Sequence, residues 1–593
     1  MNIKTALSVM GIIVGICIFW VTYSDSSDAQ NDDVFSQPDL GYMNGYYFTL
    51  DSPEETANII EKGGLSYWIK TDSQGNLVAQ LVSVGEIRED GQVIIVPKTI
   101  DVDNKSCQVV SVGPYFQPFN IFDYSTNQYI RHVGLTDNLK TQDPPILPGP
   151  LGYRYLTEPQ YHYSIVFQGP VKIQDYAFNE FDLFNAPILK AYCYYTKSGL
   201  TSVTFEEGAT SIGQWAFAYS SVEEIIVPQS VVSVGDYAFY ASCIQDVIWN
   251  SDADITAHVF QNSSLSSITI AGEPKIIGER AFNGTNLTSL SIPDSVLEIG
   301  SHAFFQCKSL TTVSIGQGVE AIPRACFNGC EKLEEVIVRG TIKEVGDTAF
   351  SLGPSLTSFD FTGVEKIGYD AFKGAFRGGK DIVLDLSKVK RIENNAFSSC
   401  NANITLVLSP DLEYVGEYAL AITGSVTNSD IQIPSGCVLE KGAFYGMGLT
   451  SVSFGNECIV KSCAFNYCTV LESITFGDNC TLCDANGVNG PEGTFRNTRL
   501  TSITIPSDLV LDGAVFFDCT SLEIVIFEDG RASIEQNCFR GCTNLAEIKL
   551  PGGLKTIGAY AFAGCTKLDL SNDALNYTAE EVLSWSYLAF VGT

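Results

Sequence analysis

The stretch LTSLSIPDSVLEIGSHAFFQC, residues 287–307, holds one whole period of this chain. In it Leu290 and Ile292 alternate with Ser289 and Ser291, the period-two pattern of a short, half-buried strand. Pro293 then ends the strand, because its nitrogen carries no proton for the next ladder bond. Gly300 permits a tight backbone turn, and Ala303-Phe304-x-x-Cys307 reads as a single helical or 3₁₀ turn that brings the chain back. So short a unit cannot bury its own Leu, Ile and Phe.

Working outward from it, the strand phrase returns as LTSITIP at 500–506, as LSSITI from Leu265 and as LTSVTF from Leu200. The turn phrase returns as IGQWAF (212–217), VGDYAF (234–239), IGERAF (277–282) and IGAYAF (557–562), among others. The phenylalanine marks the phase. It stands at Phe217, Phe239, Phe260, Phe282, Phe304, Phe327, Phe350, Phe372 and Phe397, is replaced by Leu420, and resumes at Phe444, Phe465, Phe495, Phe516, Phe539 and Phe562. Most steps are 21 to 25 residues, and the 30-residue step to Phe495 holds a Gly/Asn-rich insertion. Units of that length bury their apolar residues only by stacking on their neighbours, which is the physics of a solenoid.

The two phrases, recurring together in register, resemble the BspA-like, or treponemal-type, leucine-rich repeat proteins. The resemblance covers residues 200–569 closely and extends upstream more loosely. Residues 67–116 (YWIKTD…GQVIIVPKTI…CQVVSVGPYF) look like the start of such proteins, with Phe116 and Phe178 as further phase marks. It implies an α/β-type repeat solenoid, a curved array of short strands, turns and single helical turns. It also implies a secreted or cell-surface protein that binds partners in adhesion: a protein or glycan on another cell, on host matrix or on a host receptor.

On this reading residues 1–29 are a signal peptide or membrane anchor, and 30–64 are a linker. Residues 65–199 are an N-terminal cap with degenerate first repeats, interrupted at 117–170 by an aromatic, Pro-rich insertion. Residues 200–570 are the array, and 571–593 are a C-terminal capping helix suggested by the Thr578-Ala-Glu-Glu581 capping box. Residues 6–23 carry no charge and follow Lys4; as a helix they would span roughly 27 Å, close to the hydrocarbon thickness. Ser27-Asp28-Ala29 is a fair cleavage site, so a cleaved signal and a retained anchor both remain open. Either way the rest of the chain is expected outside the cell.

Composition narrows the functions. The 593 residues carry 35 Lys+Arg against 68 Asp+Glu, a net charge of −33, which repels nucleic acid and anionic lipid. Membrane contact is therefore expected only through the N-terminal segment. With 45% hydrophobic and 17% charged residues, the chain is too apolar to be disordered. There are only four histidines, and no phosphate-loop, zinc-protease or nucleophile-elbow motif. His258 and His302 stand beside phase marks and read as turn residues. Cys480-Thr-Leu-Cys483 lacks the second pair that zinc needs. No cofactor and no enzymatic activity are expected. Seven of the 18 cysteines recur at the third position after the phase phenylalanine (Cys307, Cys330, Cys400, Cys468, Cys519, Cys542, Cys565), which reads as a small apolar slot filled by free thiols. Disulfides between neighbouring coils are the alternative.

The candidate site is then the outward side of the strands. Ser267, Thr269, Ser289, Ser291, Thr312, Ser314, Ser451, Ser453, Ser502 and Thr504 form its ladder, interrupted by larger groups at Glu335, Ile337, Arg339, Asp360, Glu547 and Lys549. Such a face recognises a macromolecule by area. A structural surface-layer role, or an enzyme with its site in the 117–170 insertion, are the alternatives.

Overall fold

The computed structural model describes residues 59–83, 90–112, 163–175, 177–178, 200–377, 381–483, 493–531, 533–568 and 589–591. The expected signal or anchor lies outside the described residues. So do most of the linker, most of the insertion and all but the tail of the expected capping helix.

From Leu200 onward each coil follows the quoted unit. In most coils the first strand pairs in parallel with the matching strand of a neighbouring coil, in sheets of two to six strands. Thr312–Ile315 lies between Ser289–Ser291 and Glu335–Val338, with Ser289, Thr312 and Glu335 in one row and Ser291, Ser314 and Ile337 in the next. The buried positions between them, Leu290, Val313 and Val336, point to the core. In most coils a second, short strand or bridge pairs in parallel with its counterpart, and the longest of the sheets so formed has nine two-residue strands, from Ala321–Ile322 to Val510–Leu511. Between these faces every phase residue from Phe217 to Phe562, Leu420 included, is buried. The rings stack from Phe178 to Phe590 with centroids 4.7 to 5.5 Å apart wherever two rings adjoin, nearly parallel. The stacked-strand solenoid expected from the repeat is present.

The helical turn is not, and no described residue is helical. Hydrogen bonding gives the reason. In the coil from Gly300, the N–H groups of Ala303, Phe305 and Cys307 donate to carbonyls three residues back (3.3, 3.0 and 3.2 Å). Those of His302, Phe304 and Gln306 instead reach Arg324, Cys326 and Asn328 of the next coil (3.0, 2.9 and 2.8 Å). A helix directs every N–H along its own axis and leaves none for a neighbour. The chain achieves the alternation by placing His302 and Gln306 in the left-handed region, φ 58° and 54°. Gly300 is glycine for a different reason from the expected one. A Cβ there would lie 2.3 Å from the backbone nitrogen of Glu279, so it is the approach of the neighbouring coil that excludes a side chain.

The ends differ from expectation in three places. Ile59–Lys62, within the expected linker, is a strand antiparallel to Leu65–Thr71, which in turn pairs with Leu77–Ser83. Tyr163–Phe167, within the expected insertion, is a regular strand between Gln92–Val96 and Leu200–Phe205, and buries Tyr163, Ile165 and Phe167. Ala589-Phe590, within the expected capping helix, repeats the Ala-Phe phrase instead: Phe562 N–H donates to Ala589 (2.8 Å) and the rings of Phe562 and Phe590 stack at 5.3 Å.

Candidate binding face

The strand register places the six candidate residues. Glu335 and Ile337 alternate with the buried Val336 and face outward, Ile337 with 43% of its surface exposed. Arg339 turns back across the face. Its Nη2 donates to the carbonyl of Ile292 (2.6 Å) and approaches the Asp294 carboxylate (3.3 Å), so it links two coils across the one between them. Asp360 is exposed, but its Oδ1 accepts the N–H and hydroxyl of Thr362 (3.0 and 2.8 Å) in a local turn. The strand of Glu335 bridges to Ser358, which brings these four residues onto adjoining coils. Glu547 and Lys549 are also exposed, in the strand Glu547–Lys549, but that strand pairs with Ile524–Phe527 and belongs to a separate sheet.

Nearer the start of the array lies a feature that the sequence reading passed over. Outward positions of six successive parallel strands form a row: Ile95 opposite Val166, then Thr204, Ile226 opposite Ile248, and Thr269. Ile95, Ile226 and Ile248 are exposed by 55%, 54% and 43%. The signal was present in EEIIVP (223–228) and QDVIWN (245–250), where the outward position of the strand is itself isoleucine. An unbroken apolar run does not say which of its residues faces solvent.

Charge separates the same two stretches. Residues 200–274 contain nine carboxylates and no lysine or arginine, whereas residues 275–391 contain fourteen of each sign. In the second stretch the charges pair between coils: Lys308–Glu331, Lys343–Glu320, Lys366–Glu344 and Lys390–Glu365, at 2.7 to 2.8 Å. The hydrogen bond from Lys390 holds the Glu365 carboxyl below its ordinary range, and Glu344 raises Lys366.

The recurrent cysteine is a hydrogen-bond donor, which corrects its reading as an apolar slot. The thiols of Cys307, Cys330, Cys400, Cys542 and Cys565 point to the phase-residue carbonyl of the preceding coil at 3.1 to 3.3 Å. Where Ser242, Ser263 and Thr285 occupy the slot, the hydroxyl bonds the phenylalanine of its own coil at 2.7 to 2.8 Å. Burial pushes the Cys307 thiol up to about 11 and that of Cys400 to about 12. No disulfide joins any two of the sixteen described cysteines. Among the described residues no group of three or more His, Cys, Asp or Glu side chains is arranged to hold a metal. His258 is half-buried, stacks on Tyr237 at 4.4 Å, and has its pKa lowered chiefly by burial.

The family pattern described as "BspA type Leucine rich repeat region" matches residues 187–257, 253–377, 379–487 and 489–578, well over half of the chain. The chain belongs to the BspA-type leucine-rich repeat family. Among solved structures, a leucine-rich repeat protein from Bacteroides ovatus is 19% identical over 86% of this chain and 92% of its own, with a TM-score of 0.40. The pneumococcal vaccine antigen PcpA is 17% identical over 90% and 97%, with a TM-score of 0.30. A leucine-rich cell surface protein from Faecalibacterium prausnitzii is 20% identical over 84% and 95%, with a TM-score of 0.26. No curated protein matches the chain.

Proposed function

We propose that this BspA-type repeat protein is exported and binds a macromolecular partner, protein or glycan, at the cell surface through the outward side of its face strands, in adhesion or contact with another cell or host. It needs no cofactor and turns over no small substrate. The observation that supports this reading is the in-register face itself. Rows of hydroxyls, carboxylates and branched aliphatics repeat from strand to strand, so affinity can accumulate over area while the buried alternate residues hold the backbone fixed. The uncharged run at residues 6–23, behind Lys4, supports export.

The test is binding of the purified chain to immobilised matrix proteins and to a glycan array, alongside the double variant Glu335→Gln/Ile337→Ser. Both side chains point outward, so the variant is expected to fold and to bind its partner more weakly. Unchanged affinity would remove the patch at Glu335 and Ile337. Hydrolysis of a substrate that co-purifies with the chain, or self-association with no other partner, would replace the reading by the enzyme or the surface-layer role.

A further inference from the structure

We propose that the outward row from Ile95 to Thr269 is a docking face for a cationic protein segment that carries branched aliphatic side chains. This rests on the binding reading above and narrows it to one face and one class of partner. Two observations meet there. The row exposes Ile226 and Ile248 side by side on one six-stranded parallel sheet, with Ile95 farther along it beyond Thr204 and Val166, and no described element packs over it. The strip also lies between carboxylates. Glu224 and Asp246 stand two residues before the isoleucines on the same strands, paired with each other in register and both exposed. Past the strand ends, a shallow cleft of about 630 Å³ runs from Ile226 to Asn250, Asp252 and Glu273. Asp252 spends one oxygen on the N–H of Glu273 (2.8 Å), and both side chains are exposed.

Nothing within these coils balances that charge. The nine carboxylates of residues 200–274 have no lysine or arginine among them. Among the described residues Lys98 reaches Glu207 from outside at 2.8 Å, at one margin, and Arg280 lies near Tyr237 and His258 at the other. A partner that brings lysine or arginine beside apolar side chains therefore gains both desolvation of the isoleucines and pairing of the carboxylates. A second copy of the chain brings its own net charge of −33, and the mutual repulsion disfavours it. A glycan is disfavoured by shape, since sugar rings pack on flat aromatic faces and this row offers branched aliphatics.

The experiment is fluorescence anisotropy on the full chain with labelled peptides of alternating lysine and valine, lysine and serine, and glutamate and valine, at low and high salt. The lysine–valine peptide is expected to bind best and the glutamate–valine peptide not at all, with affinity falling as salt rises. Ile226→Ser/Ile248→Ser should weaken the lysine–valine peptide by about tenfold, the range for an anchor at the centre of an interface. Glu224→Gln/Asp246→Asn, which leaves the apolar row untouched, should also weaken it and flatten the salt dependence. Absence of binding overturns the proposal. So does equal binding of the lysine–serine peptide by parent and Ile variant, binding of dextran at this row, or dimerisation lost in the Ile variant. The general binding reading fails separately: a partner whose affinity falls with Glu335→Gln/Ile337→Ser but not with Ile226→Ser/Ile248→Ser keeps that reading and removes this one.

Discussion

Residues 200–274 and 275–391 share one backbone and differ in what they show to solvent. The rings of Phe217, Phe239 and Phe260 stack at 5.1 to 5.2 Å, and those of Phe304, Phe327 and Phe350 at 5.2 to 5.3 Å. The outward rows differ in charge and in apolar content. The first stretch exposes Ile226 and Ile248 among unbalanced carboxylates, and the second exposes hydroxyls and ion pairs strung between coils. The inward residues are fixed because each one's neighbours are its own counterparts in adjacent coils, so a change at one position misfits two others. The outward residues meet only solvent or a partner. Core and surface chemistry are thus written in alternate residues of the same strands.

The largest test of that equality is in the core. Phe239→Ala and Phe304→Ala should each cost about 3–5 kcal/mol, the range for emptying a buried aromatic site. Urea unfolding followed coil by coil by hydrogen exchange should find the two alike to within about 1 kcal/mol, the precision such comparisons allow. A much cheaper Phe239→Ala would mean that the first stretch is not part of the same stack. The glycines come next. Gly235→Ala and Gly300→Ala each push a Cβ to within 2.3 Å of the neighbouring backbone, so each should cost about 1–3 kcal/mol with no difference between stretches.

The donor slot after the phase residue should divide the two stretches. Cys330→Ala leaves the Phe304 carbonyl of the previous coil without its thiol, whereas Ser242→Ala affects only its own coil. Each should cost about 0.5–1.5 kcal/mol, the net worth of one hydrogen bond, because the N–H groups of Cys307 and Ser242 still donate to those carbonyls. Only the cysteine variant should raise exchange in two coils. Because burial raises these thiols, iodoacetamide should label them slowly in the native chain and fully after denaturation. Recovery of disulfide-linked peptides would overturn the free-thiol arrangement.

Most of the core could be read from the sequence, because a repeat states each buried position many times over. The phase residue, the alternating strand and the glycine were all placed by counting. Their physical reasons were less accessible. The turn after Gly300 read as helical because nothing in Ala303-Phe304 reveals that alternate N–H groups leave for the next coil. Tyr163–Phe167 was lost in the Pro-rich stretch that precedes it, though YSIVF alternates like its neighbours. The Ala-Phe phrase at 589–590 was masked by the capping box upstream. On the face, Ile337 stood out against serines, whereas Ile226 was hidden between Ile225 and Val227. Arg339 could be placed outward but not bound to Asp294, two coils away, since that contact depends on side-chain reach and not on period.

The smallest expected effect is also the one whose sign differs between the two stretches. In residues 275–391 the Glu365 carboxyl is held below its ordinary range, first by the hydrogen bond from Lys390 and then by its charge. A carboxyl lowered in the folded state stabilises fully above its ordinary pKa, and that contribution is lost as pH falls through the lowered value. Lys366, raised by Glu344, contributes below its ordinary pKa and loses that contribution only as pH rises beyond it. Both contributions are therefore intact at neutral pH, and acid removes the first. Residues 200–274 contain no lysine or arginine to form such a pair, and their nine carboxylates repel one another at neutral pH. Lowering the pH from neutral into the carboxylate range should quicken hydrogen exchange around Glu365, after correction for the intrinsic rate. Added salt at neutral pH should slow exchange in residues 200–274 and quicken it around Glu365, because it screens repulsion and attraction alike. Lys390→Ala should bring the Glu365 titration, followed by NMR, back up to the ordinary carboxylate range and abolish the acid effect in its coil alone. If the two stretches respond with the same sign, the contrast in charge has no bearing on the stability of the array, and only partner binding can reveal it.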